Sequence, residues 1–213
     1  MASIVTFAQR KGGGGKTTLA AHLATAWAAL GRRVAIVDVD PQRSLTQWIE
    51  LRRAKRGEAG FTAIAVSGWK LGLELDRLRR DHDIVVIDSP PHADMDARVA
   101  IRASDLVVIP VQPSPMDVWA TRATLDLART EDRRALLVLN RVAPRTRLTQ
   151  EIAASLGHGE IRLARTTLAN RTAYAASLAA GASVGEYEPS GAAAGEIAHL
   201  LAEIDDVLAG RSR

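Results

Sequence analysis

Nine residues near the start of the chain, Arg10-Lys11-Gly12-Gly13-Gly14-Gly15-Lys16-Thr17-Thr18, bring together groups suited to holding a polyphosphate. Successive glycines let backbone N–H groups curl around an anion. A helix starting at Lys16 adds the positive end of its dipole. Lys16 has the reach for β- and γ-phosphates, and the Thr17 hydroxyl is a ligand for Mg²⁺. The usual phosphate-loop spacing places a glycine where this chain has Arg10, so the pattern departs by one residue. The Gly-Lys-Thr core and the strand–loop–helix setting remain.

Three aspartates extend this chemistry. Asp88 ends the apolar run Ile84–Ile87 and precedes Ser89-Pro90-Pro91. A carboxylate at the C-terminal edge of a parallel sheet lies where open α/β folds bind ligands, in the usual place for the acid that holds Mg²⁺ through water. Asp38 and Asp40, in Asp38-Val39-Asp40-Pro41-Gln42, are two apart on a strand end and therefore share a face. One of them is placed to orient an attacking water and the other to support the metal's shell. Asp38 reads equally well as a hydrogen-bond acceptor fastening a turn.

The elements that position these groups alternate between strand and helix patterns almost throughout. Expected strands are Ser3–Gln9, Arg33–Val39, Thr62–Val66, Ile84–Ile87, Asp105–Val111, Ala135–Asn140 and Glu160–Leu163. Expected helices are Lys16–Leu30, Ser44–Arg56, Lys70–Arg80, Ala93–Arg102, Asp117–Thr130, Thr149–Leu156, Thr172–Ala180 and Ala194–Leu208. The continuous apolar runs Ile84–Ile87 and Leu106–Val111 are of the kind buried on both faces of a sheet. The alternation predicts an α/β fold with a mostly parallel twisted sheet and helices on both faces. No linker or repeat interrupts it, so residues 1–213 are expected to form one domain. Ten residues precede Lys11, too few for an N-terminal DNA-reading module.

The 213 residues are 47% hydrophobic and 24% charged, which excludes a disordered or collagen-like chain. No apolar run approaches the roughly 18 residues of a membrane helix. The start lacks a signal peptide's basic and apolar regions. With no cysteine, the chain has no thiol catalysis, disulfide or cysteine-held metal, consistent with a cytoplasmic setting. The net charge is +4, and only four of the 28 basic residues are lysine. Arginine suits phosphate geometry, so the balance fits an acidic partner such as DNA; a GC-rich coding sequence explains it equally well.

The stretch Lys11–Thr18 resembles the deviant phosphate loop of ParA/MinD-type ATPases. Asp38-Val39-Asp40-Pro41-Gln42 resembles their first switch, and Val85-Val86-Ile87-Asp88-Ser89-Pro90-Pro91 their second acidic motif. Pro110-Val111-Gln112-Pro113-Ser114-Pro115-Met116-Asp117 is similar to a stretch of short plasmid-type members. The likeness continues through Gly181-Ala182-Ser183-Val184 to Gly195-Glu196-Ile197. It implies a P-loop NTPase that binds ATP and Mg²⁺ and hydrolyses ATP weakly on its own. Gly12, Gly13, Gly14, Gly15, Lys16, Thr17 and Thr18 would hold the phosphates, Thr17 and Asp88 the metal, and Asp40 the hydrolytic water. Lys11 would cross to the nucleotide of a second subunit in an ATP-bound sandwich dimer, supplying charge from the far side. Asn140, followed by Arg141, would recognise adenine, having both a donor and an acceptor.

The family further implies nonspecific DNA binding by the dimer, a nucleoid location, and release by a ParB-like or other cargo-bound adaptor that stimulates hydrolysis. Cargo could be a plasmid, or a protein assembly such as a chemoreceptor cluster, carboxysome or conjugative transfer complex. Gly14 replaces a usual valine, alanine or serine. The segment Glu188-Pro189-Ser190-Gly191-Ala192 lacks an arginine that many chromosomal members use on DNA. Arg141, Arg145, Arg147, Arg162, Arg165 and Arg171 are the substitutes. Residues 52–80, including Arg52, and the helix after Met116 are candidate partner surfaces, with Trp119 read as core. A membrane-bound MinD-like role is the alternative. The last helix argues against it, because Glu196, Glu203, Asp205 and Asp206 oppose its apolar face and anionic lipid repels them. A metabolic enzyme sharing the loop is a third class.

Overall fold

The computed structural model describes residues 1–91, 95–143, 147–157 and 162–211. Its strands are β1 (Ser3–Phe7), β2 (Val34–Asp38), β3 (Thr62–Ala65), β4 (Ile84–Asp88), β5 (Leu106–Val111), β6 (Ala135–Leu139) and β7 (Arg162–Leu163). They form one sheet in the order β3-β2-β4-β1-β5-β6-β7, and every pairing among these strands is parallel. The helices are α1 (Lys16–Ala29), α2 (Ser44–Arg56), α3 (Gly68–Asp81), α4 (Met95–Arg102), α5 (Pro115–Thr130), α6 (Arg147–Gly157), α7 (Thr172–Ala179), α8 (Val184–Tyr187) and α9 (Ala192–Leu208).

Alternate residues of the central strands feed opposite cores. Val5, Phe7, Ile36, Val86, Val108 and Val138 pack beneath α1, α2, α8 and α9. Ile4, Val37, Val85 and Ile87 face α3 and α4, while Val107, Ile109 and Leu137 face α4, α5 and α6. Each such fully buried aliphatic side chain contributes about 1.5–3 kcal/mol by leaving water. Two-sided burial also fixes the register, because a one-residue slip would exchange the two faces. The register sets Phe7, Asp38 and Asp88 level at the C-terminal ends of three adjacent strands.

The expected elements are all present within the described residues, with ends moved by local chemistry. α5 begins at Pro115 rather than Asp117 because Ser114 caps it, its Oγ accepting from the Asp117 N–H at 3.2 Å. α8 escaped the sequence reading, since a single turn has no periodicity; it is closed by a capping box between Ser183 and Glu186. Ala93, Asp94, Arg145 and Glu160, parts of the expected elements and sites, lie outside the described residues.

Two surface expectations are corrected. Arg52 is buried and belongs to no partner surface. Its guanidinium grips both oxygens of Glu186 at 2.7 Å and donates to Ala59 and Gly181 carbonyls, tying α2 to α8. A side chain at Gly181 would meet the Arg52 backbone at 3.1 Å, and φ there is +67°. Trp119 is exposed rather than core, because it lies on the side of α5 turned from the sheet. The acids of α9 also serve inside the fold. Glu196 accepts from Arg171, Tyr174 and the Ala169 N–H, Glu203 from Thr166 and the Arg165 N–H, and Asp205 from the buried Trp27 indole.

His22 on α1 is fully enclosed; its Nδ1 accepts from the Val184 N–H at 3.3 Å and its ring meets Tyr174 edge-on. Burial pushes its pKa down to about 4. The unfolded chain, with a histidine pKa near 6.5, therefore takes the proton first as pH falls. Stability from this group is complete above pH ~6.5 and is lost as pH drops toward ~4. Urea unfolding should show the native protein losing about 2 kcal/mol more between pH 7 and 5 than His22→Gln, which keeps an acceptor for Val184.

Candidate functional site

The glycine loop joins β1 to α1 at the C-terminal edge of the sheet, where the chain later turns outward from β1 through β5 and β6. Its shape is held from outside. Gln112 Nε2 donates to the Gly13 carbonyl at 3.1 Å, and Asn140 Nδ2 to the Gly14 carbonyl at 2.8 Å. The upstream arm is fastened to α5, with Gln9 Nε2 on Thr121 Oγ1 at 2.8 Å and the Arg10 N–H on Thr124 Oγ1 at 3.3 Å. With these carbonyls turned to the surrounding protein, the loop's N–H groups are left for an anion. Gly15 takes φ +100°, and a Cβ there would lie 2.3 Å from Asn140 Nδ2, so only glycine passes.

Inside the loop Lys16 is almost wholly buried, and its Nζ donates to the Gln9 carbonyl at 3.2 Å. Burial pulls its pKa down, and the nearby Asp88 and Asp40 carboxylates act in the opposite direction. Thr17 Oγ1 donates to Asp88 Oδ2 at 2.7 Å. Asp88 Oδ1 is buried with no partner among the described residues. Burial pushes the Asp88 carboxyl up to about 7, against the Thr17 hydrogen bond and the Lys16 charge. An orphaned carboxylate oxygen beside a hydroxyl, at the mouth of a phosphate loop, is the donor set that a hydrated Mg²⁺ fits.

A cavity of about 460 Å³ opens onto these groups, lined among others by Gly12, Gly13, Lys16, Thr17, Asp40 and Trp48. Asp40 is mostly buried, and its Oδ1 accepts from the Gln42 N–H at 2.9 Å. Thr18 and Arg141 also border the cavity, Arg141 with φ +53°. Both oxygens of Asp38 are engaged: Oδ1 by the Asp40 N–H, Oδ2 by the Thr46 N–H and hydroxyl. Asp38 thereby fastens the start of α2 to β2. Asn140 is likewise engaged, its Oδ1 accepting from the Arg141 N–H at 2.9 Å. A larger open recess of about 900 Å³ lies at the other end of the strands. It has no glycine loop, and its Arg33 is paired with Asp83.

The structure separates the candidate DNA arginines. Arg171 and Arg165 are paired with Glu196 and Glu203 of α9, and Arg147 with Glu151 in solvent. Arg162 shares a recess with Arg129, Arg133 and Arg134. Sequence reasoning missed Gln9, Gln112, Thr121 and Thr124, whose part is to hold the loop and whose types carry no signal alone. It also missed Trp48 as a cavity wall. Replacing Asp88 by Asn removes a buried charge, so the nucleotide-free variant should be more stable by about 1–3 kcal/mol at pH 8. The same variant should lose the Mg²⁺-dependent gain in nucleotide affinity. Thermal melting with and without Mg²⁺–nucleotide reads both effects.

Residues 5–184 match the family described as the CobQ/CobB/MinD/ParA nucleotide binding domain. Maintenance of carboxysome distribution protein A of Halothiobacillus neapolitanus is 30% identical over 204 residues, covering 92% of this chain and 94% of the relative. Protein ParA of Rhizobium radiobacter is 32% identical over 184 residues, 81% of each chain. Among solved structures, the septum site-determining protein MinD with Mg-ADP from Pyrococcus horikoshii superposes with a TM-score of 0.78 at 19% identity, each chain covered in full. The matched stretch contains the glycine loop, Lys16 and the Thr17–Asp88 pair, and this chain belongs to the CobQ/CobB/MinD/ParA family of nucleotide-binding proteins.

Proposed function

We propose that this protein is an ATP-switched positioning ATPase that distributes a large cargo over DNA. The observation that carries the reading is the Thr17–Asp88 pair, with its unpartnered buried carboxylate oxygen, set against Lys16 at the cavity mouth. Lys16 and the loop N–H groups would bind the β- and γ-phosphates, the Thr17 hydroxyl would ligate Mg²⁺, and Asp88 would hold it through water. When bound, Mg²⁺ neutralises charge on the phosphate oxygens. Asp40, bordering the cavity, positions the attacking water and accepts its proton. Asn140 and Arg141 border the adenine. Reaching adenine with the Asn140 amide requires exchange of its bond to Gly14, so its present service is to the loop.

In the same reading ATP closes two subunits face to face, and Lys11 of each meets the other's nucleotide. The dimer binds duplex DNA through phosphates without reading sequence, and a cargo-bound adaptor triggers hydrolysis and release. Among the described candidates, Arg141 and Arg162 have no ion pair and Arg147 only a solvent-exposed one, and with Arg145, which lies outside the described residues, these are the arginines offered to DNA. Two cargo classes follow from the relatives. A protein-shelled cargo is supported by the carboxysome-distribution relative, which matches over more of the chain, and a plasmid by the ParA relative.

Light-scattering mass with ADP and with ATP–Mg²⁺, followed by duplex binding on the same samples, tests the switch. Mass should double with ATP alone. Lys16→Ala should abolish nucleotide binding, Lys11→Ala should bind nucleotide yet stay monomeric, and Asp40→Ala should accumulate as the ATP dimer. Binding by about six phosphate contacts should give a log–log salt slope near −5. A slope near zero, or a monomer in both nucleotides, overturns the reading.

A further inference from the structure

Lys11 does not face the cavity. Gly12, Gly13, Lys16 and Thr17 line it, whereas the Lys11 ammonium turns away and lies 2.8 Å from Asp117 Oδ2 of its own chain. The two partners differ in freedom. The Lys11 side chain is 44% exposed and that of Asp117 only 5%. Asp117 is fixed in the first turn of α5, its N–H bound to Ser114 Oγ and its Oδ2 receiving the Ser114 hydroxyl. Pro115 stiffens that turn from the front. The same helix fastens the loop's upstream arm through Thr121 and Thr124. A nearly buried carboxylate fixed at the start of α5 therefore holds a half-exposed lysine at the edge of the site.

We infer that Asp117 is a positioning residue for Lys11, holding the ammonium within its own subunit until the nucleotide of a second subunit replaces the carboxylate. This rests on the sandwich-dimer reading above and adds the group against which that dimer must compete. The logic is a difference of states. An interaction present in the free subunit and absent in the dimer weakens dimerisation by its own free energy. A charge-assisted hydrogen bond to a buried acid is among the stronger polar contacts. Each dimer breaks the pair twice, once per subunit. Asp117 therefore sets the protein concentration at which ATP closes the dimer, and it guards against closure by subunits that hold no triphosphate to offer in exchange.

The test is the monomer–dimer midpoint, read by light scattering over a range of protein concentrations with Mg²⁺ and a nonhydrolysable ATP analogue. Asp117→Asn keeps the shape and the backbone cap while removing the charge, and should lower the midpoint by about tenfold, the scale of two pairs each screened on the exposed lysine side. Asp117→Glu restores the charge and should return the midpoint toward that of the native protein. The double variant Lys11→Ala with Asp117→Asn should remain monomeric, because the gain acts through the lysine. If Asp117→Asn does not fold, Asp117→Ser, which is uncharged and leaves the Ser114 cap on the backbone N–H in place, is used instead. An unchanged or raised midpoint for the uncharged variant, beside a native protein that dimerises, overturns the role of Asp117. A double variant that dimerises as readily as Asp117→Asn also overturns it. If neither the native protein nor Asp117→Asn dimerises, the sandwich reading itself fails and takes this inference with it.

Discussion

The arrangement depends on carbonyl groups being held back. A loop of glycines has little shape of its own, and its oxygens would compete with its N–H groups for any position near an anion. Here two amide side chains, Gln112 from the end of β5 and Asn140 from the end of β6, take the Gly13 and Gly14 oxygens out of the site. Both amides stand at the C-terminal ends of strands that are buried on both faces, so their reach is fixed by the packing of the sheet. The phosphate site is thus as much a product of β5 and β6 as of the loop that carries the motif.

The register of the sheet does similar work for the acids. Asp38 and Asp88 lie level across paired strands and have opposite fates. Both oxygens of Asp38 are occupied, one by the Asp40 N–H and the other by Thr46 at the start of α2, while Asp88 keeps one oxygen buried with no partner among the described residues. The first is spent on structure and the second is left short of a partner. In the proposed reading a cation would supply what Asp88 lacks, and without one burial makes the carboxylate more costly than it would be in water.

Much of this was legible in the residues. The loop, Asp40 and Asp88 announce themselves by type and spacing, and the alternation of apolar runs gives the parallel sheet and its helices. What the sequence could not show depends on partners distant along the chain. Asp117 is an unremarkable helix-start acid until folding sets it beside Lys11, 106 positions away. Glu196 and Glu203 look like a solvated acidic face, yet they take backbone N–H groups and neighbouring arginines. Trp119 has the composition of core and the placement of surface. α8 is too short for any period to register. For Asp117, Glu196 and Glu203 the deciding contact is one that only the tertiary fold creates.

Trp48 has a further consequence. Of the chain's four tryptophans, Trp27 is sealed in the core, and Trp69 and Trp119 stand in solvent. Among them Trp48 alone borders the cavity beside the glycine loop, stacked on Phe61 with the Arg52 guanidinium over its ring. The indole is carried by α2, which begins four residues after Asp40 and is tied through Arg52 to α8. The molecule therefore carries an intrinsic optical gauge: its ultraviolet emission can register occupancy of the cavity and movement of the helix beside it without any attached dye.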